Sequence, residues 1–147
     1  MAPRPGFDEW VLQCAEAVAM RSRDPSTKVG CVIVRPDKSF AAVGYNGFPR
    51  SMEDRQEWWD IREEKYDRVV HAEMNALAAM KEPAKGCIVY VTHPPCKECT
   101  KFLAAHQVGK VVWRHHDGIQ GRFDTTRSEQ ILTDCGIAFT VVGAPVA

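Results

Sequence analysis

A chain of 147 residues with 45% hydrophobic and 26% charged positions has the balance of one globular domain, here read as spanning residues 1–147, and not of a disordered chain. Lysine plus arginine and aspartate plus glutamate number 19 each, for a formal net charge of zero. That removes the usual argument for a nucleic-acid polymer as partner, which needs a basic surface, but leaves open a single nucleotide, which needs only a few local donors.

No apolar run approaches the roughly 20 residues that span a bilayer, and the segment Met1 to Gly6 has no signal-peptide core. The expectation is a cytoplasmic protein (host cytoplasm if the gene is viral) with no membrane partner. In that compartment six cysteines point to metal ligation or free thiols, not disulfides.

Phe7, Trp10, Val11, Cys14, Ala17 and Val18 form a helical stripe that Asp8 can cap and that should lie against a sheet. Residues 21–27 are polar and break the pattern at Pro25. Val29 to Val34 is a continuous apolar run, as in a strand buried on both faces. After a turn at Pro36-Asp37-Lys38, Phe40 to Tyr45 is a second strand, and the short connection makes the pair antiparallel. Gly44-Tyr45-Asn46-Gly47-Phe48-Pro49 ends it with residues that tolerate left-handed backbone angles.

Ser51 to Arg68 is a charged, aromatic excursion with some helix. Its charges read as a solvated face, and Trp58-Trp59 as a cover for a site or a subunit contact. His71 to Met80 is rich in helix formers and stops before Pro83. Gly86 to Thr92 is a third strand. Pro95 suits the first turn of a helix running through Phe102 and Leu103 towards His106. Val108 to Trp113 is a fourth strand, Thr125 or Thr126 opens a helix closed by Gly136, and Ile137 to Val142 is the last strand before a Pro/Ala tail. Cys14, Cys31, Cys87 and Cys135 sit in apolar patterns and read as buried, inert thiols. The order of elements predicts an α/β protein: a mixed five-stranded sheet with helices on both faces.

The chemistry gathers in His71-Ala72-Glu73 and Pro95-Cys96-Lys97-Glu98-Cys99. One imidazole and two thiols suit zinc, and three protein ligands leave a fourth position open. Both halves open helices, whose N-terminal partial charge favours thiolate and so metal binding. Glu73 is the natural base for a zinc-activated water and can carry its proton to a ring nitrogen and a departing amine. The bland reading is a closed four-ligand zinc site with His93 as fourth ligand, in which Glu73 would have no role.

His-x-Glu followed by Pro-Cys-x-x-Cys is the pattern of the zinc nucleobase deaminases. From the first helix to the last strand the chain resembles the cytidine deaminase superfamily, and more closely its deoxycytidylate (dCMP) deaminases. Beyond the zinc motifs, residues 21–30 (Arg-Ser-Arg-Asp-Pro-Ser-Thr-Lys-Val-Gly), Gly44 to Pro49 and the excursion before His71 carry that likeness. The resemblance implies a three-layer α/β/α sandwich, zinc on His71, Cys96 and Cys99, Glu73 as proton shuttle, and hydrolysis of dCMP to dUMP and ammonia in pyrimidine nucleotide metabolism. It also implies substrate contacts at Ala72 and, to the sugar, at Asn46. Control by dCTP as activator and dTTP as inhibitor would run through Gly44, Tyr45, Asn46 and Gly47, with Mg2+ accompanying a triphosphate effector, in a homo-oligomer, often a hexamer.

For the 5′-phosphate, Ser22 and Arg23 offer a hydroxyl and a guanidinium in a polar loop, and His115 and His116 are further candidates. Two departures from the family pattern bear on substrate: His93 stands where many relatives carry an apolar residue, and Trp113 to Asp117 lacks their tyrosine. The competing readings are deamination of dCTP, cytidine, guanine or tRNA adenosine, and a zinc-bearing interaction module without catalysis. Zero net charge counts against the tRNA enzyme, and the presence of Glu73 counts against the module.

Overall fold

The computed structural model describes residues 1–117 and 124–144, so the end of the Pro/Ala tail lies outside the described residues. Helix α1 (Phe7–Ala19) is followed by strands β1 (Gly30–Val34) and β2 (Phe40–Tyr45) and short helices α2 (Gln56–Asp60) and α3 (Arg62–Arg68). Then come α4 (Ala72–Ala79), β3 (Ile88–Val91), α5 (Lys97–Ala105), β4 (Lys110–Arg114), α6 (Thr126–Asp134) and β5 (Ala138–Val142). The strands form one sheet in the order β2-β1-β3-β4-β5. β1 is antiparallel to both neighbours, while β3, β4 and β5 run parallel. The mixed five-stranded sheet with helices on both faces is the fold expected from the order of elements.

Alternation along the strands splits the core in two. Cys31, Ile33, Val89, Val91, Val111 and Trp113 face α4, α5 and α6 through Ala76, Leu103 and Leu132. Val32, Val34, Tyr90 and Val112 face α1 through Val11, Leu12 and Ala15. Every residue of β1 is buried, because helices cover this strand on both faces. Two successive parallel crossovers of the same hand put α5 and α6 on one face.

Two glycines set how closely the layers approach. A Cβ at Gly30 would stand 1.9 Å from the Ala15 carbonyl oxygen of α1, and one at Gly44 would stand 2.4 Å from the Ala76 nitrogen of α4. Gly44 is thus a packing glycine between β2 and α4.

Local details depart from the sequence reading. The N-cap of α1 is Gly6, not Asp8. Asp8 instead accepts a 2.6 Å hydrogen bond from the Tyr90 hydroxyl, since a buried tyrosine needs a partner for its O–H. Pro95 precedes α5 because Cys96 takes the cap position. Cys135 is exposed and Cys14 half-buried, so neither is the buried thiol expected; Cys135 sits at the open C-cap of α6, beside Gly136 at φ +68°.

The excursion is anchored by Trp59, 3% exposed and stacked on Phe48 at 4.1 Å, with its indole N–H donating to Asp54 at 3.1 Å. The guanidinium groups of Arg55 and Arg68 lie over the Trp58 ring, 4.8 and 4.1 Å from its centroid. Neither tryptophan lines the cavity described next, so the expected cover over the site is not formed by them. Among the described residues no helix is long and apolar enough to cross a membrane.

Candidate active site

Two helix starts meet at one end of the sheet. The Gly47–Val70 bridge, with N–H···O distances of 3.1 and 2.8 Å, ties the end of β2 to the residue before His71. His71 is the N-cap of α4 and Glu73 lies in its first turn. Cys96 is the N-cap of α5, its Sγ accepting the Cys99 N–H at 3.4 Å. The buried Ser128 hydroxyl of α6 donates to the Pro95 carbonyl at 2.8 Å and fixes the approach to Cys96.

His71 Nδ1 stands 3.2 Å from Cys99 Sγ and 3.6 Å from Cys96 Sγ. Tetrahedral zinc with ordinary bond lengths would hold a nitrogen and a sulfur ligand about 3.6 Å apart, so the spacing fits the ion. Among the described residues this group of donors within 4.8 Å of one another has three members. His93 is not one of them, and its Nδ1 is engaged with the Thr92 hydroxyl at 2.8 Å. Among the described residues the closed four-ligand alternative therefore lacks its fourth ligand.

The electrostatics without metal show what a cation would displace. The Cys99 thiol's hydrogen bond to Cys96 lowers the Cys96 pKa to about 3, so this sulfur is a thiolate. The same shared proton, with burial, pushes Cys99 far up. The hydrogen bond to Cys96 raises His71 against the opposing effect of burial. One sulfur is thus held as an anion, while the shifts of Cys99 and His71 both favour their protonated forms, against which a divalent cation would compete. Burial raises the carboxyl of Glu73, which is 4% exposed, the direction a proton shuttle working near neutral pH requires.

A cavity of about 420 Å³ opens over these groups, within the usual range for a small-molecule site. His71, Ala72, Glu73 and Cys96 line it together with Asn46, Asp24, Lys65 and His93. Asn46 is buried, and its amide is largely spent on the loop beside it: Oδ1 accepts the Val29 N–H at 2.8 Å, while Nδ2 donates to Thr27 O at 2.9 Å and Asp24 Oδ2 at 3.1 Å.

Ser22 and Arg23, expected at a phosphate, do not line this cavity. The Ser22 hydroxyl is buried and donates to the Asn46 carbonyl at 2.8 Å, and Arg23 is exposed and paired with Asp54 at 3.4 Å. Neither His115 nor His116 lines the cavity: His115 meets Asp117 at 3.0 Å, and His116 stacks on His93 at 4.1 Å. Gly44 is buried under α4 and the Tyr45 carbonyl accepts from Asn75 at 2.8 Å, so the stretch from Gly44 to Gly47 is built into the support of α4.

Lys65 was hidden from the sequence. It comes from the excursion read as a solvated face, yet its side chain is 12% exposed and its Nζ lies 2.9 Å from Asp24 Oδ1 in the cavity wall. Asp24 also accepts from the Ser26 and Thr27 amides. No local pattern marks one lysine in such a run as the one that turns inward.

Fold and site together define a three-layer α/β protein with a His/Cys/Cys group placed to hold a metal ion. Residues 5–115 match the model of the cytidine and deoxycytidylate deaminase zinc-binding region, and the chain belongs to that family. A probable deoxycytidylate deaminase of Caenorhabditis elegans is 43% identical over 104 residues, 68% of this chain and 53% of that one, so the chain spans about half the length of that relative. The deoxycytidylate deaminase of Pongo abelii is 32% identical over 143 residues, covering 90% of this chain and 78% of its own. Among solved structures, the dCMP deaminase of cyanophage S-TIM5 in complex with dCMP and dUMP superimposes with a TM-score of 0.74 at 26% identity, over 96% of this chain and 100% of that one.

Proposed function

We propose that this chain is a zinc-dependent hydrolase that converts dCMP and water into dUMP and ammonia. The observation that carries the reading is the cluster of His71, Cys96 and Cys99 donors at a cavity that His71, Cys96 and the buried Glu73 line. The likeness to a phage enzyme described in complex with dCMP and dUMP supports the choice of substrate.

His71, Cys96 and Cys99 would hold the ion, which when bound supplies Lewis-acid activation of water near neutral pH. Glu73 takes one proton of the attacking water and delivers it to N3 of the pyrimidine, then takes the remaining proton from the oxygen added at C4 and passes it to the amine as the C4–N bond breaks, leaving a carbonyl and ammonia. Its raised pKa keeps the carboxyl competent to hold each proton between uptake and delivery. Ala72, at the start of α4, lines the cavity, and the base would lie against it. Asn46 orders the loop of residues 24–29 and keeps one lone pair of Oδ1 for a sugar hydroxyl.

The reading extends, on family resemblance, to a single catalytic domain working in the cytoplasm as a homo-oligomer, with a hexamer favoured. On the same ground it includes activation by dCTP, inhibition by dTTP and Mg2+ bound with the triphosphate. One assay tests it: ammonia release from dCMP, dCTP, cytidine, deoxycytidine and guanine, each with and without added dCTP or dTTP. Turnover of dCMP above the others is expected. Absence of turnover on every cytosine nucleotide would defeat the assignment.

A further inference from the structure

Resting on the reading of a nucleotide substrate, we infer that Arg127 and Lys97 form the seat of its 5′-phosphate and make the enzyme prefer phosphorylated substrates to free nucleosides. Among the described residues the cavity is lined by three lysine or arginine side chains, Lys65, Lys97 and Arg127. Lys65 is committed to the buried carboxylate of Asp24 at 2.9 Å. Lys97 and Arg127 are exposed, and among the described residues neither side chain makes an ion pair or a hydrogen bond, although the Arg127 charge is felt by the nearby Asp124 carboxylate. They are the cations of this cavity with charge to offer a ligand.

Their placement is shared and fixed by the fold. Lys97 is the first residue of α5, directly after Cys96, and Arg127 lies in the first turn of α6. The Ser128–Pro95 hydrogen bond of 2.8 Å joins these two helix starts, which brings both cations to one wall. The partial positive charge of both helix N-termini adds to theirs. Asp124 is the acidic residue of that wall, and its carboxylate is taken up by the Thr126 amide at 3.0 Å and hydroxyl at 2.7 Å. A phosphate monoester carries the charge and the acceptor oxygens that a guanidinium fork and an ammonium match. Ser22 and Arg23, the residues singled out for this role in the sequence, spend their polar groups outside the cavity.

The test measures kcat and KM for dCMP, together with inhibition by the product dUMP and by deoxyuridine, which lacks the phosphate. The proteins compared are the parent chain, Arg127→Ala, Lys97→Ala and the charge-keeping Arg127→Lys. Loss of one charge-assisted contact is worth roughly tenfold to a hundredfold in binding. KM for dCMP and the inhibition constant of dUMP should both rise by about that factor in Arg127→Ala and less in Arg127→Lys, while the constant for deoxyuridine holds within about twofold. An unchanged dUMP constant overturns the seat, and so does parallel weakening of dUMP and deoxyuridine, which would mark a merely structural residue. If the parent chain releases no ammonia from dCMP, the proposed function fails by itself. Calorimetric titration of dUMP and deoxyuridine into the same proteins then still reads the phosphate preference directly.

Discussion

A single methyl group at position 44 tests whether the active site depends on how closely α4 lies on the sheet. In Gly44→Ala the new Cβ would meet backbone alone: the Ala76 nitrogen at 2.4 Å, the Ala72 oxygen at 2.6 Å and the Ala76 Cα at 2.9 Å. Backbone cannot swing aside as a side chain can, so α4 must retreat by about 1 Å to restore ordinary contact. Overpacking of this kind costs about 3 kcal/mol, and the reduced freedom of the unfolded chain returns roughly 0.5–1 kcal/mol. The net loss of about 2 kcal/mol corresponds to a fall in Tm of about 4–8 °C for a chain of this size.

The same retreat carries His71 and Glu73 with it, and a misplacement of about 1 Å can cost on the order of a hundredfold in rate. Gly30→Ala is the control, because its Cβ strikes the Ala15 oxygen at 1.9 Å on the opposite face, where α1 contributes no residue to the cavity. Thermal unfolding and steady-state deamination, both measured where each variant is folded, should show two destabilised proteins of which Gly44→Ala alone has lost most of its kcat. The reasoning is refuted if Gly44→Ala keeps a kcat within about twofold of that of Gly30→Ala.

Three further outcomes follow from the site. Glu73→Gln should retain one zinc per chain by metal analysis while ammonia release drops by roughly 10²–10⁴-fold; retained turnover would sink the proton-shuttle assignment. Lys65→Met strips the buried Asp24 carboxylate of its ammonium but leaves it three hydrogen bonds, from Ser26, Thr27 and Asn46. The loss should therefore fall below the 3–5 kcal/mol usual for half of a buried ion pair, at about 2 kcal/mol, and combining it with Asp24→Asn should cost less than the sum of the two. For zinc itself, His71 and Cys99 are raised in the metal-free protein and must give up their protons, whereas Cys96 holds none. Zinc affinity should accordingly fall as pH drops through the range where His71 protonates, and calorimetry in buffers of different ionisation heat should find roughly two protons released per ion at pH 6. Proton release that does not change with pH would contradict this ligand set.

The cluster of metal-ligating side chains was legible in the sequence because it is built from local pairs. A histidine and a glutamate two residues apart at a helix start, and two cysteines three apart at another, keep their relation in any fold that forms those helices, and the alternation of strand and helix patterns set the sheet. The unbroken apolar run at Val29 to Val34 correctly announced a strand covered on both faces. What local pattern could not carry was the partnership of residues far apart in the chain. Ser22 and Arg23 looked like phosphate ligands by composition, but packing turns the hydroxyl to Asn46 and pairs the guanidinium with Asp54. Lys65 looked solvated and is drawn in by Asp24, 41 positions away. Gly44 looked like a turn residue, and its smallness serves contact with a helix that begins 28 positions later. The chemistry proposed for this chain is written in four residues, His71, Glu73, Cys96 and Cys99. Which cations remain unpaired around them was decided by tertiary structure, because a charge is spent or kept according to the neighbour that folding brings to it.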